Sequence, residues 1–116
     1  MKDGKIYLRR NKMPKEQIKS ILKDCFWEYN FNEKDIISLS KSKDSQEQIF
    51  LFSKILENAK ELLKSMKIFD KHDLERLIES YIVPTFKYEY MARRLNIVEY
   101  YFLNKPLTIN ELKWVA

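Results

Sequence analysis

Ser45-Gln-Glu-Gln-Ile-Phe-Leu-Phe-Ser-Lys-Ile-Leu-Glu-Asn-Ala-Lys-Glu-Leu-Leu-Lys-Ser-Met66 is the stretch whose reading decides the fold class. Ile49, Phe52, Ile55, Leu56, Ala59, Leu62 and Leu63 recur at intervals of three and four, the spacing that lines up side chains on one face of an α-helix. The stretch opens on a capping signal. Ser45 followed three residues later by Gln48 can close a reciprocal capping box, and Asp44 adds negative charge at the positive end of a helix. The pattern predicts one helix from Ser45 to about Met66. Glu57 with Lys60, and Glu61 with Lys64, place opposite charges one turn apart along it.

The same periodicity extends outward in both directions. Upstream, Pro14 stands where the first helical residue tolerates proline, and Ile18, Ile21 and Leu22 give a short helix over Lys15 to Lys23. Between that helix and the central one lie Cys25-Phe-Trp-Glu-Tyr-Asn-Phe31, an aromatic connector without clean periodicity, and the polar stretch Ser38 to Ser45, read as a loop. Downstream, Asp70 precedes a stripe of Leu74, Leu77, Ile78, Tyr81 and Ile82 that Pro84 stops. Tyr90, Met91, Leu95, Val98, Phe102 and Leu103 then fit another helix up to Asn104. Thr108 and Glu111 form a second capping box ahead of a short terminal helix through Leu112 and Val115.

Composition agrees with helices. The chain has 116 residues, 45% of them hydrophobic, with one glycine and three prolines. Hairpins and phosphate-cradling loops draw on glycine for positive backbone angles, so this scarcity disfavours barrels, sandwiches and glycine-loop nucleotide binders. The expected fold is all-α: a single compact domain of about five helices over residues 14–116, preceded by a basic N-terminal arm over residues 1–13.

The net charge of +5 is confined to one end. Residues 1–24 carry eight Lys/Arg against three Asp/Glu, whereas residues 25–116 carry fourteen of each. No run approaches the roughly 18 to 20 apolar residues of a membrane helix. The opening residues lack a stretch of signal-peptide length, and the one cysteine, Cys25, cannot pair within the chain. A cytoplasmic setting is expected, with no membrane partner.

Catalytic chemistry finds few residues. The only histidine, His72, sits at an expected helix start without an orienting carboxylate or nucleophile fixed by the sequence. One Cys and one His cannot supply a zinc site. Glu75 and Glu79 share a helix face but have no third ligand, and Cys25 beside Phe26 and Trp27 reads as a core thiol. The expectation is a non-enzyme with no metal and no cofactor.

Aromatic residues are the unusual feature: seven Phe, seven Tyr and two Trp, concentrated at 26–31, 86–90 and 100–102, with Trp114 near the end. Tyr88, Tyr90, Arg93 and Arg94 mix aromatic rings with forked cations, a composition found at protein interfaces and at single-stranded nucleic-acid surfaces. These four are the expected protein-binding residues, with Trp27 and Tyr29 as a second patch. The alternative is a nucleic-acid-binding regulator that grips phosphates through Lys2, Lys5, Arg9, Arg10 and Lys12. The balanced charge of residues 25–116 favours a protein partner, because non-specific nucleic-acid affinity comes from net basic surface.

Phe26-Trp-Glu-Tyr-Asn-Phe31, a polar spacer, Ile49-Phe-Leu-Phe-Ser-Lys-Ile-Leu-Glu-Asn58 and the Leu-rich segments after it together resemble a group of small bacterial helical proteins. Members of that group are often encoded beside nucleotidyltransferases of the abortive-infection toxin type. The resemblance spans about residues 26–82 and departs from the group's pattern at Glu28, Lys54 and Ala59. It implies a non-catalytic partner or an antitoxin-like role. Together with the aromatic patches and the lack of a catalytic set, the expectation is an interaction protein that restrains a toxin or phage-defence enzyme by masking it.

Overall fold

The computed structural model describes residues 14–108, and all regular structure among them is α-helical. Helix α1 spans Lys15–Cys25, α2 Glu33–Ser40, α3 Ser45–Asn58, α4 Leu62–Met66, α5 Lys71–Ser80 and α6 Tyr88–Leu103. The expected basic arm and the expected terminal helix beyond Thr108 lie outside the described residues.

Helix α3 is the hub, packing against α1, α2, α4, α5 and α6. Its Leu51, Phe52, Ile55 and Leu56 are fully buried, and they join Ile21, Ile36, Met66, Leu77, Ile78 and Val98 in one hydrophobic core. Burial of each such side chain contributes roughly 1.5–3 kcal/mol. The three/four stripe is therefore what holds the domain together.

Three departures from the sequence reading have identifiable causes. The first is at the start of α3. Asp44, not Ser45, is the cap: its Oδ1 accepts from the Gln46 N–H at 2.9 Å. Gln48 lies three, four and seven residues before Leu51, Phe52 and Ile55, so its side chain points inward with theirs. There its Nε2 donates to the Ser40 carbonyl at 2.9 Å and to Asp73 Oδ2 at 3.0 Å, and its Oε1 accepts from Arg76 at 2.5 Å. The buried amide ties the end of α2 to the start of α5.

The second departure is at the other end of α3, which stops at Asn58 instead of running to Met66. Ala59 is extended, at φ −67° and ψ 129°. A continuing helix would bond the Leu56 carbonyl to the Lys60 N–H and the Glu57 carbonyl to the Glu61 N–H. Side chains from elsewhere take those places. Arg94 donates to the Leu56 and Ala59 carbonyls, the Tyr90 hydroxyl donates to the Glu57 carbonyl at 2.7 Å, and Asp24 Oδ2 accepts from the Lys60 N–H at 3.2 Å. With its unpaired groups satisfied in this way, the chain turns and restarts as α4. The expected Glu61–Lys64 pair forms at 3.3 Å, whereas Glu57 pairs with Lys87 at 3.2 Å because the bend removes Lys60 from its face.

The third departure is α2, which lies between the expected connector and the expected loop and takes in the loop's first residues, Ser38 to Ser40. Asn32 and Asp35 form a reciprocal capping box: Asn32 Oδ1 accepts from the Asp35 N–H at 3.0 Å, and Asp35 Oδ2 accepts from the Asn32 N–H at 2.8 Å. Ile36, fully buried, fixes the helix to the core.

Around α6 two residues other than glycine adopt left-handed backbone, Lys87 at φ 60° and Asn104 at φ 57°. Helix α5 ends at Ser80, earlier than Pro84 alone requires. Tyr81 packs its ring 5.2 Å from Phe52 and shares a 3.0 Å hydrogen bond with Ser53, leaving Ile82, expected on the buried stripe, 86% exposed. No helix among the described residues is long and apolar enough to cross a membrane.

Candidate protein-interaction surface

The aromatic connector is anchored by Phe26, whose buried ring lies 5.3–5.8 Å from the rings of Tyr29, Phe31 and Phe50. Past the anchored Phe26 the chain turns outward. Trp27 is 73% exposed, an uncommon state for the largest apolar side chain. Tyr29, also exposed, carries the Lys54 ammonium 5.2 Å above its ring centre. Beneath these residues opens a cleft of about 150 Å³, lined by Cys25, Trp27, Glu28, Tyr29, Lys54, Glu57 and Asn58.

Glu57 joins this cleft to the second expected patch. Its carboxylate pairs with Lys87 and its carbonyl receives the Tyr90 hydroxyl. Arg94 lies 5.4 Å from the Tyr90 ring centre while its donors reach the carbonyls at the end of α3. A cation there also meets the negative end of the α3 dipole. Segments some sixty residues apart in sequence thus meet around the last turn of one helix.

The six residues picked from sequence divide by what they touch. Trp27, Tyr29 and Tyr88 present their rings to solvent. Tyr90 is exposed in part, but its hydroxyl is committed to Glu57. Arg94 is half-buried with its guanidinium engaged inside the chain, and Arg93, also half-buried, has contacts of its own. Lys2, Lys5, Arg9, Arg10 and Lys12 lie outside the described residues. Sequence reasoning missed Glu57 and Lys54 as site residues, because their spacing marks only the solvent side of a helix. Phe86, 74% exposed beside the Lys87 ammonium, extends the apolar rim.

Other candidate chemistry is dispersed. Cys25 is buried, and burial, reinforced by Asp24, pushes its thiol up to about 12 against the countervailing charges of Arg94 and Lys54. It is a neutral thiol at physiological pH, in keeping with a core residue. His72 is exposed in the first turn of α5, next to Asp73, whose carboxylate meets Gln48 at the opposite end of α3 from Glu57. Among the described residues no three His, Cys, Asp or Glu side chains are grouped so as to hold a metal ion. Comparison with protein-family models, curated proteins and solved structures finds no match, so the reading rests on this geometry.

Proposed function

We propose that the chain is a protein-interaction module that docks a partner on the aromatic surface around Glu57, and that it acts by covering that partner, an enzyme of the toxin or defence kind. The observation that carries this reading is the convergence of the two aromatic segments, which leaves Trp27, Tyr29, Phe86 and Tyr88 exposed around one helix end. Tryptophan and tyrosine are the side chains that most often dominate binding energy when an interface buries them. Trp27, Tyr29 and Tyr88 supply the contact. Tyr90 and Arg94 hold the two segments in register, and Arg93 adds a forked cation beside them. Masking is a steric act and requires no catalytic group of its own.

Affinity purification of the tagged full chain from its native cell tests the proposal. A stoichiometric partner retained by the wild-type chain, and lost when Trp27→Ala and Tyr88→Ala are combined without a change in melting temperature, supports it. Recovery of the chain alone, or equal recovery by the doubly substituted chain, contradicts it.

A further inference from the structure

We infer that the cleft beside Trp27 receives an acidic segment of the protein partner, an Asp or Glu flanked by bulky apolar side chains; the inference rests on the docking reading above. It starts from Lys54. This side chain is half-buried on α3, with its ammonium over the rings of Tyr29 and Phe50 at 5.2 and 6.0 Å. Among the described residues no carboxylate comes within 4.0 Å of it. Glu57, one turn along the same helix, is the natural counter-ion, but it is turned to Lys87 at 3.2 Å. The ammonium thus has aromatic faces and solvent as its partners, and a ring quadrupole offers a cation less than an ion pair does. A carboxylate brought in from outside completes the site with a charge-assisted hydrogen bond.

The remaining lining narrows the chemistry. Glu28 borders the same cleft outside any ion pair within 4.0 Å among the described residues, so a phosphate or a nucleic-acid strand, carrying its charge over several oxygens, meets its repulsion. A single carboxylate carries one charge on two oxygens and meets less of it, while Lys87 balances Glu57 for either anion. The exposed indole of Trp27 and ring of Tyr29 form an apolar rim around that one cation, which calls for apolar side chains next to the acid. A volume of about 150 Å³ accommodates one side chain rather than a folded surface, so the acid enters the cleft while its neighbours lie on the rim.

Random peptides displayed on phage, selected on the full chain and counter-selected on its Trp27→Ala variant, provide the test. Synthetic copies of the enriched peptides are then measured by fluorescence anisotropy. The expected peptides share an Asp or Glu beside apolar residues. Replacing that acid by its amide, or Lys54→Glu in the chain, weakens binding by about tenfold or more, while Lys54→Arg stays within about threefold of wild type. The peptide-side change keeps the test valid whatever Lys54→Glu does to folding. Trp27-dependent peptides without an acid, or with an acid whose amide binds equally well, overturn the inference and leave the docking reading standing. Absence of any Trp27-dependent peptide overturns both.

Discussion

Arg94 is the residue on which the architecture of the surface most depends, and replacing it by methionine gives a worked prediction. The guanidinium donates to the Leu56 and Ala59 carbonyls and stacks near Tyr90. Hydrogen bonds from a charged donor contribute roughly 1.5–3 kcal/mol each, and half-burial puts these at the low end of that range. The cation at the helix end and the ring contact add about 0.5 kcal/mol each. Methionine fills similar volume but leaves both carbonyls without a donor. Arg94→Met therefore costs about 3–4 kcal/mol, and at roughly 4 °C per kcal/mol for a domain of this size the melting temperature falls by about 12–16 °C. Arg94→Lys keeps the charge without the fork and recovers about a third of the loss. Urea denaturation followed by circular dichroism measures both. A loss below about 0.5 kcal/mol for Arg94→Met would refute the idea that this side chain replaces the helical N–H groups at the end of α3.

Three further changes probe separate parts of the account. Gln48→Leu takes the side-chain donor from the Ser40 carbonyl and leaves Asp73 and Arg76 to each other at 3.4 Å, so equilibrium unfolding should show a loss of about 1–2 kcal/mol even though the leucine is apolar. Asn104→Ala places a Cβ in the left-handed position without the local hydrogen bonding that asparagine allows, and should cost about 1 kcal/mol, whereas Asn104→Gly should be close to neutral in the same assay. The Cys25 thiol, raised to about 12 from an ordinary 9.0, favours the folded state fully below pH 9 and loses that contribution as pH climbs toward 12. The stability gap between wild type and Cys25→Ala should accordingly shrink across that alkaline window. A thiol reagent at pH 8 should label the native chain far more slowly than the urea-unfolded one.

What the sequence made legible follows from which interactions are local. The stripes of α1, α3, α5 and α6 were visible because one helix face repeats every three to four residues whatever it packs against. The place where α3 ends was hidden, since the groups that end it, Asp24, Tyr90 and Arg94, come from 33 to 38 residues away. Helix α2 did have a local signal, the Asn32–Asp35 box, which the sequence reading missed beside the loop composition of Ser38, Ser40 and Ser42. At the candidate site the exposed Trp27 and Tyr88 were picked out by residue type alone. The role of Glu57 was not, because a glutamate on a helix face looks the same whether it meets water or a distant lysine. Arg94, marked in sequence as a contact residue, turns out to be engaged within the fold. Forked cations beside aromatics serve helix ends as readily as they serve interfaces.

The central claim is that two distant aromatic segments form one docking surface. Site-specific photo-crosslinking in the native cell addresses it most directly, with a benzophenone amino acid placed in turn at Trp27, at Tyr88 and at the exposed His72, whose neighbour Asp73 meets the far end of α3. The account predicts that positions 27 and 88 capture the same protein and that position 72 does not. Capture of different proteins at 27 and 88, or equal capture at all three positions, would contradict it.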